Sequence, residues 1–187
     1  MRRLLFALPF ALLPLAAAHA AHDEHEHHDE HASLAAHEHG AAQLNVALEG
    51  QRLELALESP AMNLVGFEHA AVSSSDKAAV ARAQQQLQTP LALFGIAAAA
   101  GCVITSHDLH SPLFEAHAEE HEEHGAEHSD IDANYVLTCS QPQALAAIDL
   151  SELFKLFPAT DKIQVQLIGP NGQQGAELSA AQPRLSF

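Results

Sequence analysis

AAQLNVALEGQRLELALESP, residues 41–60, contains two runs in which apolar residues alternate with polar or small ones. Leu44, Val46 and Leu48 form the first run, and three further leucines repeat the pattern after a turn at Gly50. Alternation with a period of two places apolar side chains on one face of a β-strand. Two such runs joined by a short turn predict a β-hairpin with one buried face.

Outward from this hairpin, the chain contains both helix-like and strand-like segments. A serine-rich cluster at 73–76 offers N-caps to an alanine-rich helix that extends to Gln88, and Ser151 is the predicted cap of a short helix over 152–157. Further strands are predicted over 102–107, 134–140, 163–167 and 184–187. Strand runs separated by two helices, without regular βαβ alternation, predict an α+β fold: a mainly antiparallel sheet with two helices on one face.

The N-terminal segment has the pattern of an export signal. Arg2 and Arg3 precede an apolar run over 4–18, and Ala18-His19-Ala20 is a small-x-small cleavage site. The apolar run is shorter than the ~20 residues that a spanning helix needs. We therefore expect a signal peptide over residues 1–20, rather than a membrane anchor, and a mature chain that does not insert into the membrane.

Cys102 and Cys139 are the only two cysteines, and each lies in a strand-like run beside a histidine-rich internal segment. In an oxidising extracytoplasmic compartment, two cysteines favour a disulfide. The bond would close the base of the histidine-rich segment. A role of the two cysteines as metal ligands is the alternative.

Acidic residues outnumber basic ones by 24 to 8, which gives a formal net charge of -16 with histidine neutral. This charge repels phosphate backbones and anionic lipid headgroups, so no nucleic-acid partner is expected. It attracts cations, and metal ions are the expected partners.

Histidine is the strongest functional signal, because 15 of the 187 residues are histidines and most fall in two acidic tracts. Imidazole with nearby carboxylate suits Zn²⁺, Cu²⁺ and Ni²⁺, whereas Ca²⁺ and Mg²⁺ prefer oxygen ligands alone. We predict a disordered arm at 21–36 and a single domain at 37–187 with a histidine- and acid-rich loop at 107–132. The candidate metal ligands are His22, His25, His27, His28, His31, His37, His39, His69, His107, His110, His117, His121, His124 and His128.

Four of these histidines, at 117, 121, 124 and 128, would form one stripe on a helix, where i, i+4 pairs can chelate one ion. An irregular loop of biased composition explains the spacing equally well. Residues 117–121 also match the H-x-x-E-H motif of inverted zinc peptidases. Residues 27–31 and 124–128 match it too, so composition explains the motif, and we expect a binding protein rather than an enzyme.

Outside the tracts, the sequence resembles the ZrgA family of histidine-rich periplasmic zinc-binding proteins. The resemblance rests on HEHGAAQLNVALEG (37–50), ESPAMNLVGFEHA (58–70), AAAGC (98–102), HSPLFE (110–115), YVLTC (135–139) and AELSAAQPRLSF (176–187). The acidic histidine loop before the second cysteine also fits the family pattern.

This resemblance implies a periplasmic protein that captures or buffers zinc and supports its uptake by a transporter. It favours Zn²⁺ over Cu²⁺ and Ni²⁺, and it implies a periplasmic zinc-binding protein or an inner-membrane zinc transporter as partner. It also makes His37, His39 and His69 the best candidates for ordered ligands. The alternative function is a metal-resistance sink that sequesters excess Zn, Cu or Ni.

Zinc retention is expected to fall steeply as the pH drops through about 6.5, the ordinary pKa of imidazole, because protons compete for the ligand nitrogens. Equilibrium dialysis with Zn²⁺ at several pH values measures this. Carboxylates stay mostly ionised at about pH 5. Strong retention at that pH would contradict the assignment to histidine and point to Asp and Glu instead.

Overall fold

The computed structural model of the protein describes residues 38–114 and 129–187. Strands predominate in this part of the chain, and the α+β class is confirmed. The strands are β1 (Ala41–Glu49), β2 (Arg52–Pro60), β3 (Cys102–His110), β4 (Asp130–Cys139), β5 (Ala147–Asp149), β6 (Lys162–Gly169), β7 (Gly172–Ser179) and β8 (Arg184–Ser186). The α-helices are α1 (Ala61–Val65), α2 (Ser74–Leu87), α3 (Pro90–Leu93) and α4 (Ser151–Leu156), and two 3₁₀ turns span Ala98–Ala100 and Pro142–Ala144.

The first hairpin forms as the alternation predicts. β1 and β2 pair antiparallel, with Leu44 opposite Leu57 and Val46 opposite Leu55. Gly50 has a φ of 57°, a left-handed conformation that glycine adopts without steric cost. The register places the apolar side chains of both strands on the same face.

Six strands form the main sheet in the order β3-β4-β2-β1-β6-β7. β1 and β6 pair parallel, and every other pairing in this sheet is antiparallel. β5 and β8 form a separate two-stranded antiparallel sheet, so the predicted strand at the C-terminal end exists but pairs away from the main sheet.

The core lies on one face of the six-stranded sheet, where alternate residues of its strands are buried together with residues of the helices. Tyr135 of β4 shows how the two layers meet. Its hydroxyl donates to the Leu87 carbonyl of α2 at 2.7 Å, and its ring meets the Phe94 ring edge to face, with 5.5 Å between centroids. We call the opposite, exposed side of the sheet the open face.

The predicted long helix is confirmed as α2, and its start is a capping box. The Ser73 hydroxyl accepts from the Asp76 backbone N–H, and the Asp76 carboxylate accepts from the Ser73 N–H, both at 3.1 Å. Hydrogen bonds from the Ser73 side chain and backbone to the Asp76 carboxylate lower the pKa of Asp76. Val80, Ala83 and Leu87 form its buried stripe, as the sequence predicts.

The other predicted helix exists as α4, but the prediction that Ser151 caps it is wrong. Ser151 is the first residue of the helix, and its N–H donates to the Asp149 carboxylate at 3.0 Å. Two short helices, α1 and α3, add to the predicted pair. Each is too short for its apolar spacing to produce a helical periodicity in the sequence.

Both ends of the predicted loop at 107–132 belong to strands, because β3 extends to His110 and β4 begins at Asp130. β3 is an edge strand that is exposed along most of its length, so its sequence lacks the alternation that marks a half-buried strand. The described residues do not include the middle of the loop, the predicted arm at 21–36 or the predicted signal peptide at 1–20.

The predicted disulfide is confirmed between Cys102 and Cys139, which are directly opposite in the β3–β4 register. It closes a loop with a sequence separation of 37 residues. A cross-link over such a loop contributes about 3 to 4 kcal/mol in the chain-entropy model. It ties the first residue of the edge strand to the last residue of β4.

No helix in the two described ranges is long and apolar enough to cross a membrane.

Tyr135→Phe keeps the ring and removes the hydroxyl, so the free energy of unfolding at pH 7 is expected to fall by about 1 to 2 kcal/mol. Burial raises the pKa of Tyr135, the single tyrosine of the chain. Wild-type stability therefore declines above about pH 10, where the unfolded state ionises first, and the variant lacks this contribution. Urea unfolding at pH 7 and pH 10.5 measures both effects. If the free energy of unfolding falls equally between pH 7 and pH 10.5 in both proteins, Tyr135 is not the source of the alkaline decline.

Candidate metal-binding site

One end of the six-stranded sheet gathers the described segments of both predicted histidine motifs. β1 and β6 begin there, β2 and β3 end there, and β4 begins there. The internal segment 115–128 also departs after Phe114 and rejoins at Ser129, next to this end.

Gly40, the glycine of the first motif, fixes the entry into β1. Its φ is 84°, and a Cβ at this position would come within 2.5 Å of the Asp161 carboxylate. Its carbonyl accepts from the backbone N–H of Asp161 at 2.7 Å and of Lys162 at 3.0 Å. A glycine is therefore required, and the turn that carries His39 is anchored to the start of β6.

Asn63 of α1 anchors the same turn from the other side. Its side chain is buried, with 2% exposure for the residue. The Oδ1 atom accepts from the Gly40 N–H at 2.7 Å, and Nδ2 donates to the Ala41 carbonyl at 2.9 Å and to the Ser59 hydroxyl at 3.2 Å. The amide thus supplies hydrogen-bond partners to the Gly40 N–H and the Ala41 carbonyl where β1 begins.

Glu68 joins the two histidine motifs. His39 Nε2 lies 3.0 Å from Glu68 Oε1, with the His39 side chain 51% exposed and the Glu68 side chain 13% exposed. Glu68 immediately precedes His69, so the contact brings residues 38–40 of the first motif and the 66–69 motif together. The Ser129 hydroxyl donates to the Glu68 carbonyl at 2.9 Å, which holds the return of the internal segment at the same place.

His69 is exposed and has a defined orientation. Its Nδ1 lies 2.9 Å from the Ala70 carbonyl, and its ring stacks on Phe67 with centroids 4.7 Å apart. Because a carbonyl only accepts, Nδ1 carries the proton and Nε2 is the nitrogen suited to a metal ion.

His107 and His110 lie on β3, on opposite faces of the sheet, because they are three residues apart in a strand. His110 is on the open face, in register with Asp132, and the two side chains approach to 4.0 Å between Nδ1 and Oδ2. His107 is in register with Tyr135 on the core side of the sheet and is exposed beside the edge. The structure thus separates two predicted ligands that the sequence places in one tract.

Asp132 lies beside His110 at this end of the open face, and Glu58 follows on the next strand. One row of register partners runs across all six strands: His110, Asp132, Glu58, Gln43, Gln164 and Glu177. A concavity of about 510 Å³ lies against this row and is also lined by Glu38 and Lys162. Lys162 Nζ lies 3.1 Å from Glu38, and this hydrogen bond raises the pKa of Lys162.

The described histidines do not form a complete metal centre. Across 38–114 and 129–187, no three side chains of His, Cys, Asp or Glu are placed to hold a metal ion. The remaining predicted ligands lie outside the described residues: His22, His25, His27, His28, His31, His37, His117, His121, His124 and His128.

Sequence reasoning missed Asn63, Glu68, Ser129 and Asp132. Asn63 and Glu68 fall in the 58–70 block that carries the family resemblance, and Glu68 adjoins a predicted ligand. That adjacency was the available signal for Glu68. The roles of Ser129 and Asp132 depend on strand register and on contacts distant in sequence, which no local pattern contains.

Fold and site define a class of protein: a disulfide-linked α+β domain that holds histidine and carboxylate side chains at one end of a sheet. Residues 36–187 match the model of the ZrgA family, described as ZrgA family zinc uptake protein, and the chain belongs to this family. The match confirms the resemblance found in the sequence motifs and associates the chain with zinc uptake. The disulfide fits an extracytoplasmic protein. No curated protein matches the chain.

Asn63→Ala is expected to lower the free energy of unfolding by about 2 to 4 kcal/mol, because it leaves the Gly40 N–H and the Ala41 carbonyl without their buried partner. Chemical denaturation measures this loss. Asn171→Ala is the matched control, since the Asn171 amide also donates to a backbone carbonyl but is exposed. Equal losses in the two variants would show that Asn63 does not anchor the turn.

Proposed function

We propose that the protein is a periplasmic zinc-binding protein that captures or buffers zinc and supports its uptake by a transporter. The observation that supports this most strongly is the His39–Glu68 contact, which joins two histidine motifs in a member of a zinc uptake family. Imidazole and carboxylate together are ligands that suit Zn²⁺, and Cu²⁺ and Ni²⁺ bind the same groups. We propose a binding role without catalysis.

The two kinds of histidine have different roles in this proposal. The tracts at 22–31 and 117–128 supply many equivalent weak ligands, which raise the local zinc concentration by multivalency. His39 and His69 lie on the folded domain, where hydrogen bonds fix their rings. In this proposal, zinc collected by the tracts passes to these oriented ligands, from which a periplasmic zinc-binding protein or an inner-membrane transporter receives it.

The acidic side chains favour the same function. Glu58 and Asp132 are in register on the open face beside His110, and Glu38 lies at the rim of the concavity there. Negative charge at this end raises the local concentration of divalent cations and speeds their association. The same negative charge does not attract anionic ligands.

The function is tested by isothermal titration with Zn²⁺, Cu²⁺ and Ni²⁺ on the mature protein and on a variant in which 22–31 and 115–128 are replaced by Gly/Ser segments of equal length. We expect a large loss of zinc stoichiometry and a retained thermal midpoint. The replacement ends at residue 128 because Ser129 is buried and bonded to Glu68. Equal zinc stoichiometry in the two proteins would contradict the role of the tracts.

Growth of a strain that lacks the protein separates the two candidate functions. We expect a growth defect when a chelator limits zinc, and rescue by the wild-type protein. A defect that occurs only in excess zinc, copper or nickel would contradict a role in uptake and support a metal-resistance sink.

A further inference from the structure

We propose that Glu68 is a positioning residue that holds the His39 ring so that Nδ1, and not Nε2, coordinates zinc. This inference rests on the proposed zinc-binding function and assigns the coordinating atom. In the same arrangement His69 coordinates through Nε2. The two ordered histidines thus have different ring nitrogens available for coordination.

The contact between His39 and Glu68 determines the tautomer. Glu68 Oε1 lies 3.0 Å from His39 Nε2, and a carboxylate only accepts. The proton of a neutral His39 ring is therefore on Nε2, and the lone pair is on Nδ1. A carboxylate that accepts from the distal nitrogen of a metal-ligating histidine is a common arrangement, because it fixes the ring and increases its basicity.

Glu68 is itself held in place independently of His39. Its side chain is 13% exposed, and its backbone carbonyl accepts from the Ser129 hydroxyl at 2.9 Å. The Ser129 carbonyl in turn accepts from the Ala61 N–H at 2.8 Å. These backbone contacts do not involve the carboxylate. A substitution at Glu68 is therefore expected to change the hydrogen bonding of the His39 ring without releasing the segment that carries Glu68.

His69 shows the complementary arrangement. Its Nδ1–H donates to the Ala70 carbonyl, and its ring stacks on Phe67. Glu68 lies next to His69 in the chain and does not supply its hydrogen bond. Removal of the Glu68 carboxylate is therefore expected to change the tautomer of His39 and leave that of His69 unchanged.

The test is a zinc titration of the full mature protein labelled with ¹⁵N-histidine, followed by long-range ¹H–¹⁵N spectra. His39→Gln and His69→Gln identify the signals of each ring. In the wild-type protein we expect His39 Nε2 to carry the proton and His39 Nδ1 to shift on zinc addition. For His69, Nε2 is the nitrogen that shifts.

Substitutions at Glu68 distinguish positioning from coordination. In Glu68→Ala, the zinc concentration that half-shifts the His39 signals should rise about 10- to 100-fold, the usual effect of losing such a partner. Glu68→Gln keeps an oxygen acceptor for Nε2–H, so its rise should be smaller. Glu49→Ala is the matched control: Glu49 is exposed at the far end of β1, roughly 25 Å along the strand at about 3.3 Å per residue.

Several results would overturn the inference. If Glu68→Gln loses as much zinc affinity as Glu68→Ala while both retain the wild-type thermal midpoint, Glu68 is itself a ligand. Coordination of His39 through Nε2, or an unchanged half-shift in Glu68→Ala, would also refute it. If tract histidines respond to zinc and His39 does not, this inference alone fails. If no histidine responds, the proposed function fails with it.

Discussion

Leu44, Leu55 and Leu137 lie on the same side of the six-stranded sheet, and the need to cover that side is the constraint on which the rest of the structure depends. An antiparallel sheet can leave one face in water, but its apolar face must be buried. α2, α3 and α4 therefore contribute buried residues to this side, and the open face stays exposed to solvent. Segments that bury little apolar surface, such as β3, lie at the edge of the sheet.

The strand ends impose a second requirement, because their backbone polar groups must find partners outside the sheet. At the end where β1 begins, the buried amide of Asn63 meets this requirement for Gly40 and Ala41. The cost of leaving such groups unpaired makes the geometry of the turn specific. His39 follows from that geometry, because the turn that Asn63 anchors places its ring within reach of Glu68.

A disulfide and a set of hydrogen bonds hold the two ends of β4, which follows the internal segment. The Cys102–Cys139 disulfide holds one end of β4, and the Ser129 hydrogen bonds hold the start of the strand at the other. His110 and Asp132 lie at that second end, in register on the open face. The folded domain thus sets where the internal histidine-rich segment leaves and returns.

The sequence alone determined the first hairpin, α2 with its cap, the disulfide and the family. Each depends on local periodicity, a short capping motif, the presence of only two cysteines in the chain or a distinctive block of residues. It also identified His39 and His69 as ordered ligand candidates. It missed α1 and α3, which are too short for periodicity, and it ended β3 before His110, since an exposed edge strand needs no alternation. Only the tertiary structure paired β1 with β6 and brought Glu68 to His39 across 29 residues. The reason is physical: local patterns record which face of an element is buried, whereas hydrogen bonds between distant segments depend on how those buried faces pack together.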